Sequence, residues 1–160
     1  MPAIQVTHAL NACYRVAVGG HQLTIDQPAT AGGDDRGPTP LQLLVAGLVA
    51  CTAHYAGSYL DRRGLSREGL LVEGDFDMAE DKPPRVGAMS VTITPPPGLS
   101  ARRQAGLLAV ASHCTVHNTL CQPPAVHIGL GPPGPDDRAG GQSLPPGAAS
   151  EPLAKAVSPC

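Results

Sequence analysis

The stretch from Thr39 to Gly64, TPLQLLVAGLVACTAHYAGSYLDRRG, constrains this chain more than any other. Thr39 is a good N-cap, Pro40 falls at the first helical position, and Gln42 completes a capping-box pattern. At the other end Arg62 and Arg63 complement the negative pole of a helix dipole, and Gly64 suits the left-handed stop. The spacing predicts a helix over 40–63. Its first half is apolar nearly all round, and such helices are buried on several sides. A bilayer span needs roughly 17–25 predominantly apolar residues. Here the uninterrupted run ends after Leu43 to Cys51, and Gln42, Thr52, His54 and Ser58 break the longer stretch. The segment reads as a core helix, and no membrane is expected as a partner.

The flanking sequence supplies what would cover it. Residues 3–18 and 21–26 read as two strands meeting at Gly19-Gly20, a pair at home in a hairpin turn. The loop DQPATAGGDDRGPTP follows, rich in turn formers. After the helix come strands near Leu70–Met78 and Arg85–Thr94, separated by the charged turn AEDKPP. Ser100 caps a second helix to about Ser112. A shorter helical piece at Thr115–Cys121 and a last strand at Ala125–Leu130 complete the order ββ-α-ββ-α-α-β, an α+β class. Residues 131–160 are Gly- and Pro-rich with hardly an aliphatic cluster, a composition that cannot offset ordering entropy. The expected division is one domain over 1–130 and a flexible tail over 131–160.

Composition removes several function classes. Lys and Arg number 11 against 13 Asp and Glu, a net charge of −2 with no basic stripe, so no nucleic-acid partner is expected. Three Tyr, one Phe and no Trp leave little for base stacking or aromatic cages. No phosphate-binding loop, dinucleotide-binding glycine pattern, H-E-x-x-H or G-x-S-x-G occurs. The first residues lack a basic region followed by an apolar one, so no signal peptide is evident and a cytoplasmic location is expected. Five cysteines, an odd number, then point away from a disulfide framework and towards reactive or metal-bound thiols.

Two of them repeat a pattern. Cys51-Thr-Ala-His54 and Cys114-Thr-Val-His117 are both C-x-x-H, and His113 adds a third imidazole. Residues three apart share a helical face, so each pair could converge on one point. Two Cys and two His would suit tetrahedral zinc, although the long interval between the pairs is unlike a zinc finger. Alternatively, one thiolate attacks a peroxide oxygen, becomes a sulfenic acid, and condenses with the second thiol. Cys114 falls at a junction between helices, where free backbone N–H groups lower a thiol's pKa. The other cysteines read as core or edge thiols (Cys13, Cys121) and a tail thiol (Cys160).

Residues 26–51, DQPATAGGDDRGPTPLQLLVAGLVAC, and 114–120, CTVHNTL, resemble the two signature regions of the OsmC/Ohr family, the osmotically inducible protein C and organic hydroperoxide resistance proteins. The resemblance extends over residues 3–130. It implies an OsmC-like fold: an antiparallel sheet wrapped around long central Cys-bearing helices in an intertwined homodimer. It implies that Cys51 is the peroxidatic and Cys114 the resolving cysteine of an organic hydroperoxide reductase. Such an enzyme needs no cofactor and no metal, and is re-reduced by a thiol, in some members of a dihydrolipoyl protein. An aliphatic pocket would suit alkyl hydroperoxides. In family hydroperoxidases an acidic residue ten positions before the reactive Cys holds an Arg; here that position is Leu41, followed by Gln42, and Arg15 and Arg36 are the candidate arginines. A member without peroxidase activity would instead bind a small molecule or a metal through Cys51, Cys114, His54, His113 and His117.

Overall fold

The computed structural model describes residues 4–131. Strands β1 (Gln5–Leu10), β2 (Cys13–Val18) and β3 (His21–Ile25) precede helix α1 (Pro40–Asp61). Strands β4 (Leu71–Met78) and β5 (Val86–Thr94) follow, then helices α2 (Ala101–Ala111) and α3 (Thr115–Cys121). The chain divides after Cys121 into two compact units, and all of these elements lie in the first. The class is α+β, as expected.

The capping chemistry of α1 is present in full. The Gln42 N–H donates to Thr39 Oγ1 at 3.2 Å, and the Thr39 N–H donates to Gln42 Oε1 at 2.8 Å. The helix stops at Asp61 with Arg62 as C-cap, and Gly64 takes φ of 63° two residues beyond. The Arg63 guanidinium donates to the Tyr59 carbonyl at 3.4 Å and lies 3.8 Å over the centre of its ring. Ser100 is the N-cap residue of α2, but its side chain makes no capping bond.

The predicted 3–18 strand is in fact two strands. Asn11 adopts φ of 51°, a conformation Asn tolerates better than most residues, and the chain reverses there so that Leu10 faces Cys13 and Gln5 faces Ala17. β2 then pairs with β3 through the predicted Gly19-Gly20 turn. The result is an antiparallel β1-β2-β3 sheet and a separate β4-β5 hairpin, with Leu71 opposite Thr94 and Met78 opposite Val86.

The second departure is at Ala125–Leu130, which forms no strand. Val126, Ile128 and Leu130 alternate as a strand should but are exposed, and a strand without a neighbour's ladder has nothing to hold its dihedrals. Of the expected tail, residues 132–160 lie outside the described residues.

The core forms where α1 meets α2. Ala56, Tyr59, Leu60, Leu107 and Ala111 are buried together, with Leu65, Leu70, Ile93 and Leu99 packed around them. Gly106 makes the approach feasible: a Cβ there would meet the Tyr59 hydroxyl and ring. α1 also packs on β4 and touches α3 and β5, whereas among the described residues no helix packs extensively on β1-β2-β3. In that sheet only Cys13 and Val16 are buried.

Candidate active site

α1 carries Cys51 at mid-length, and α2 delivers Cys114 to the turn before α3. The Cys114 N–H still reaches back to the Ala111 carbonyl (3.3 Å), and its own carbonyl accepts from the Asn118 N–H at 2.9 Å, so Cys114 caps α3. Its sulfur takes the acceptor place that a Ser or Asp side chain fills at other helix starts: the His117 N–H donates to Sγ at 3.4 Å. α1 and α3 are tied by a hydrogen bond of 2.8 Å between the Tyr55 and Thr115 hydroxyls.

The two predicted cysteines converge. Cys114 is fully buried, Cys51 is half-buried, and the Cys51 thiol lies near enough to bear on the titration of Cys114. Thr52, buried beside them, donates its hydroxyl to the Leu48 carbonyl at 2.9 Å and stands 3.7 Å from Cys114 Sγ. Burial pushes the Cys114 thiol up. The His117 N–H, the Thr52 hydroxyl, the Cys51 thiol and the Val116 N–H outweigh it and hold the thiol below its ordinary 9.0. The donor set therefore favours this thiolate.

The histidines do not join them. His54 is exposed, with its ring edge-on to Tyr55 at 6.0 Å. His113 is exposed, with Nδ1 3.1 Å from the Ala109 carbonyl. His117 places Nε2 3.5 Å from Cys121 Sγ and leaves Nδ1 buried without a partner. Among the described residues no three His, Cys, Asp or Glu side chains stand close enough to hold a metal ion. The tetrahedral set that the repeated C-x-x-H allows is therefore not assembled.

The acidic–arginine support is also absent from its expected place. Leu41 is half-buried, and Gln42 is committed to the Thr39 N–H. Arg15 and Arg36 are exposed, and no arginine hydrogen-bonds to either cysteine among the described residues. Arg36 contributes instead through its backbone. Its N–H and that of Asp34 donate to Asp26 Oδ2, both at 3.1 Å, and the Gln27 N–H donates to Oδ1 at 2.8 Å. Asp26 is buried, and burial raises its carboxyl. The three backbone donors and the Arg36 charge outweigh this and hold it below its ordinary 3.8. Gly33 packs so closely here that a Cβ would fall on the Gln27 carbonyl. This buried carboxylate fixes the loop that delivers Thr39 to α1. In the sequence its only signal is an acid between a strand and a run of turn formers.

Thr52 and His117, the groups that hold Cys114, also face a pocket of about 220 Å³. Leu48, Met89, Val91, Ile93 and Leu108 form most of its wall. Sequence reasoning did not single out Thr52 or this pocket, because neither follows from spacing within one element.

No curated protein matches the chain significantly. Solved structures do. A candidate osmotic-stress-induced and detoxification response protein of Psychrobacter arcticus aligns at a TM-score of 0.68 and 22% identity, covering 74% of this chain and 88% of its own. The organic hydroperoxide resistance protein OsmC of Legionella pneumophila aligns at 0.58 and 20%, covering 75% and 88%. OhrB of Bacillus subtilis, an organic hydroperoxide resistance protein, aligns at 0.54 and 18%, covering 73% and 89%. At these identities the likeness establishes the fold. The family model described as OsmC-like protein matches residues 32–129, more than half of the sequence and both cysteine motifs, and the chain belongs to that family.

Proposed function

We propose that the protein is a thiol-dependent peroxidase that reduces organic hydroperoxides, with Cys51 attacking and Cys114 resolving. The observation that carries this reading is the pairing of a half-buried thiol with a fully buried one inside a shell of hydrogen-bond donors. Attack of the Cys51 thiolate on the outer peroxide oxygen gives a sulfenic acid and releases the alcohol. Condensation with Cys114 then gives a disulfide and water. A thiol reductant returns the pair to its starting state, and a dihydrolipoyl protein is the kind of dithiol that suits the exchange. The chemistry needs two sulfurs and no cofactor. The aliphatic pocket beside Thr52 fits an alkyl chain better than hydrogen peroxide. Two of the structural relatives above carry organic hydroperoxide resistance in their names. Four free cysteines among the described residues suit a reducing compartment, in keeping with a cytoplasmic protein.

Intact-mass measurement of the reduced protein, before and after equimolar cumene hydroperoxide, tests the reading. The expected result is a loss of two hydrogens that peptide mapping assigns to Cys51 and Cys114. An unchanged mass with both thiols free would sink it.

A further inference from the structure

α3 has little of its own to hold it in place. None of its seven residues is buried, so no apolar side chain anchors it as Leu107 and Ala111 anchor α2. Among the described residues its side-chain hydrogen bonds mostly turn back on its own stretch of chain. Thr119 donates to the Thr115 carbonyl at 2.8 Å, Asn118 donates to the His113 carbonyl at 3.1 Å, and His117 meets Cys121. The exception is the bond of 2.8 Å between the Tyr55 and Thr115 hydroxyls, which joins α3 to α1 across 60 residues of chain.

That bond is placed beside both sulfurs. Thr115 directly follows Cys114, and Tyr55 follows Cys51 by one turn on the same side of α1. Cys114 is therefore bracketed. Before it, Ala111 is buried in one core with Ala56, Tyr59 and Leu60 of α1; after it, Thr115 is tied to α1 through Tyr55. A disulfide needs its two Cα atoms about 4.4–6.8 Å apart, a range that a small swing of either segment leaves. On the Ala111 side packing limits the swing, and on the Thr115 side the hydroxyl pair does. The contact of Thr52 with Cys114 goes to a reacting sulfur, whereas the Tyr55–Thr115 bond involves no sulfur and can persist through every redox state of the pair.

We infer that Tyr55 and Thr115 are positioning residues for the condensation step, holding Cys114 within reach of the oxidised Cys51 sulfur. The inference rests on the peroxidase reading for the step it serves, and on the hydroxyl pair alone for its geometry. Once Cys51 is a sulfenic acid, two reactions compete for it. In the first, the Cys114 thiol attacks the Cys51 sulfur, the S–S bond forms, and the sulfenic hydroxyl leaves with the thiol proton as water. In the second, another hydroperoxide transfers its outer oxygen to the same sulfur, which gives a sulfinic acid and a further alcohol. Thiols do not reverse that product. The clamp speeds the first reaction and has no part in the second, nor in the initial attack on peroxide. It therefore sets how much peroxide the protein withstands before Cys51 is lost.

Tyr55→Phe and Thr115→Val each remove one hydroxyl and keep the shape, while Thr115→Ser keeps the bond. On the full reduced chain, rapid mixing with cumene hydroperoxide reads sulfenic acid formation on Cys51 separately from disulfide formation. Tyr55→Phe and Thr115→Val should each slow disulfide formation by about three- to tenfold, the effect of one neutral hydrogen bond, and leave sulfenic acid formation within about twofold. The double variant should be no slower than either single one, and Thr115→Ser should restore the rate. Excess peroxide should drive more Cys51 to sulfinic acid in both hydroxyl-less variants. A disulfide rate indifferent to Tyr55→Phe, or losses that add in the double variant, would overturn the inference. Equilibrium against oxidised and reduced dithiothreitol separates it from the peroxidase reading. There the native Cys51–Cys114 disulfide should be favoured about three- to tenfold over that of Tyr55→Phe, because the clamp raises the effective concentration of one thiol at the other. If peroxide yields no disulfide while this preference holds, the peroxidase reading falls and the clamp stands. If the preference is absent, or no Cys51–Cys114 disulfide forms, the clamp falls.

Discussion

Asp26 shows how one side chain can govern a site it does not touch. Both of its oxygens are occupied by backbone N–H groups of the loop before α1, and its carboxyl is held below the ordinary value. A folded-state pKa below the unfolded one adds stability that is present above the unfolded value of 3.8 and is lost as pH falls through the folded value. Asp26→Asn keeps one acceptor and loses the charge. It should lower Tm at neutral pH by several degrees and flatten the acid limb of a Tm–pH profile. An unchanged profile would show that the carboxylate does not bear on stability. On the peroxidase reading we propose, Cys51→Ser should reduce cumene hydroperoxide turnover to background while leaving Tm nearly unmoved. Cys51 and Cys114 stand out in the sequence because a repeated C-x-x-H pattern and two signature segments mark them, and the structure brings their helices together. Asp26 and Thr52 do not, because their roles arise from chain segments that only folding brings together: Thr52 meets Cys114 from a different helix.

At the scale of elements, the helices were more legible than the strands, and the reason is where their information resides. α1 begins within the chemistry of four consecutive residues, Thr39 to Gln42, and the structure reproduces that box bond for bond. Removing the Thr39 acceptor should therefore be measurable on its own. Thr39→Ala should cost about 0.5–2 kcal/mol in urea unfolding, as a lower midpoint at constant m-value. A midpoint unchanged from the native protein would mean that tertiary packing alone sets the start of α1. Strands depend on partners elsewhere in the chain. The break of β1 and β2 at Asn11 and the unpaired 125–130 segment are both decided by which neighbour is available, which an apolar alternation does not state. The contact between α1 and α2 is likewise long-range: Gly106 carries no signal until Tyr59 is seen against it.

The described residues leave much apolar surface in the open. Their buried core lies between α1 and α2, while Leu44 on α1 is 45% exposed and Leu108 on α2 is 57% exposed. An apolar groove of about 470 Å³ runs beside the first half of α1, with Val45, Ala46, Val49 and Ala50 on one side and Gly74 and Phe76 of β4 on the other. The β1-β2-β3 sheet adds exposed Val6, Leu10 and Leu23, and among the described residues no helix packs extensively on it. A small sheet is stable only when its apolar surface is covered, and contiguous exposed apolar surface marks an interface. A second copy supplies matching surface by symmetry, and this is the homodimer we propose. Sedimentation at micromolar concentration should give twice the 16.3 kDa of one chain. Leu44→Glu, a charge placed at an exposed apolar position of α1, should shift the equilibrium towards monomer and lower Tm. A native protein that sediments as a monomer would remove the dimer, and the exposed strands would then need another cover. Because Cys51 and Cys114 meet within one chain, the monomerised variant, wherever it stays folded, should still form the Cys51–Cys114 disulfide with a single equivalent of peroxide. Loss of that disulfide in a folded monomer would mean that the second copy completes the site.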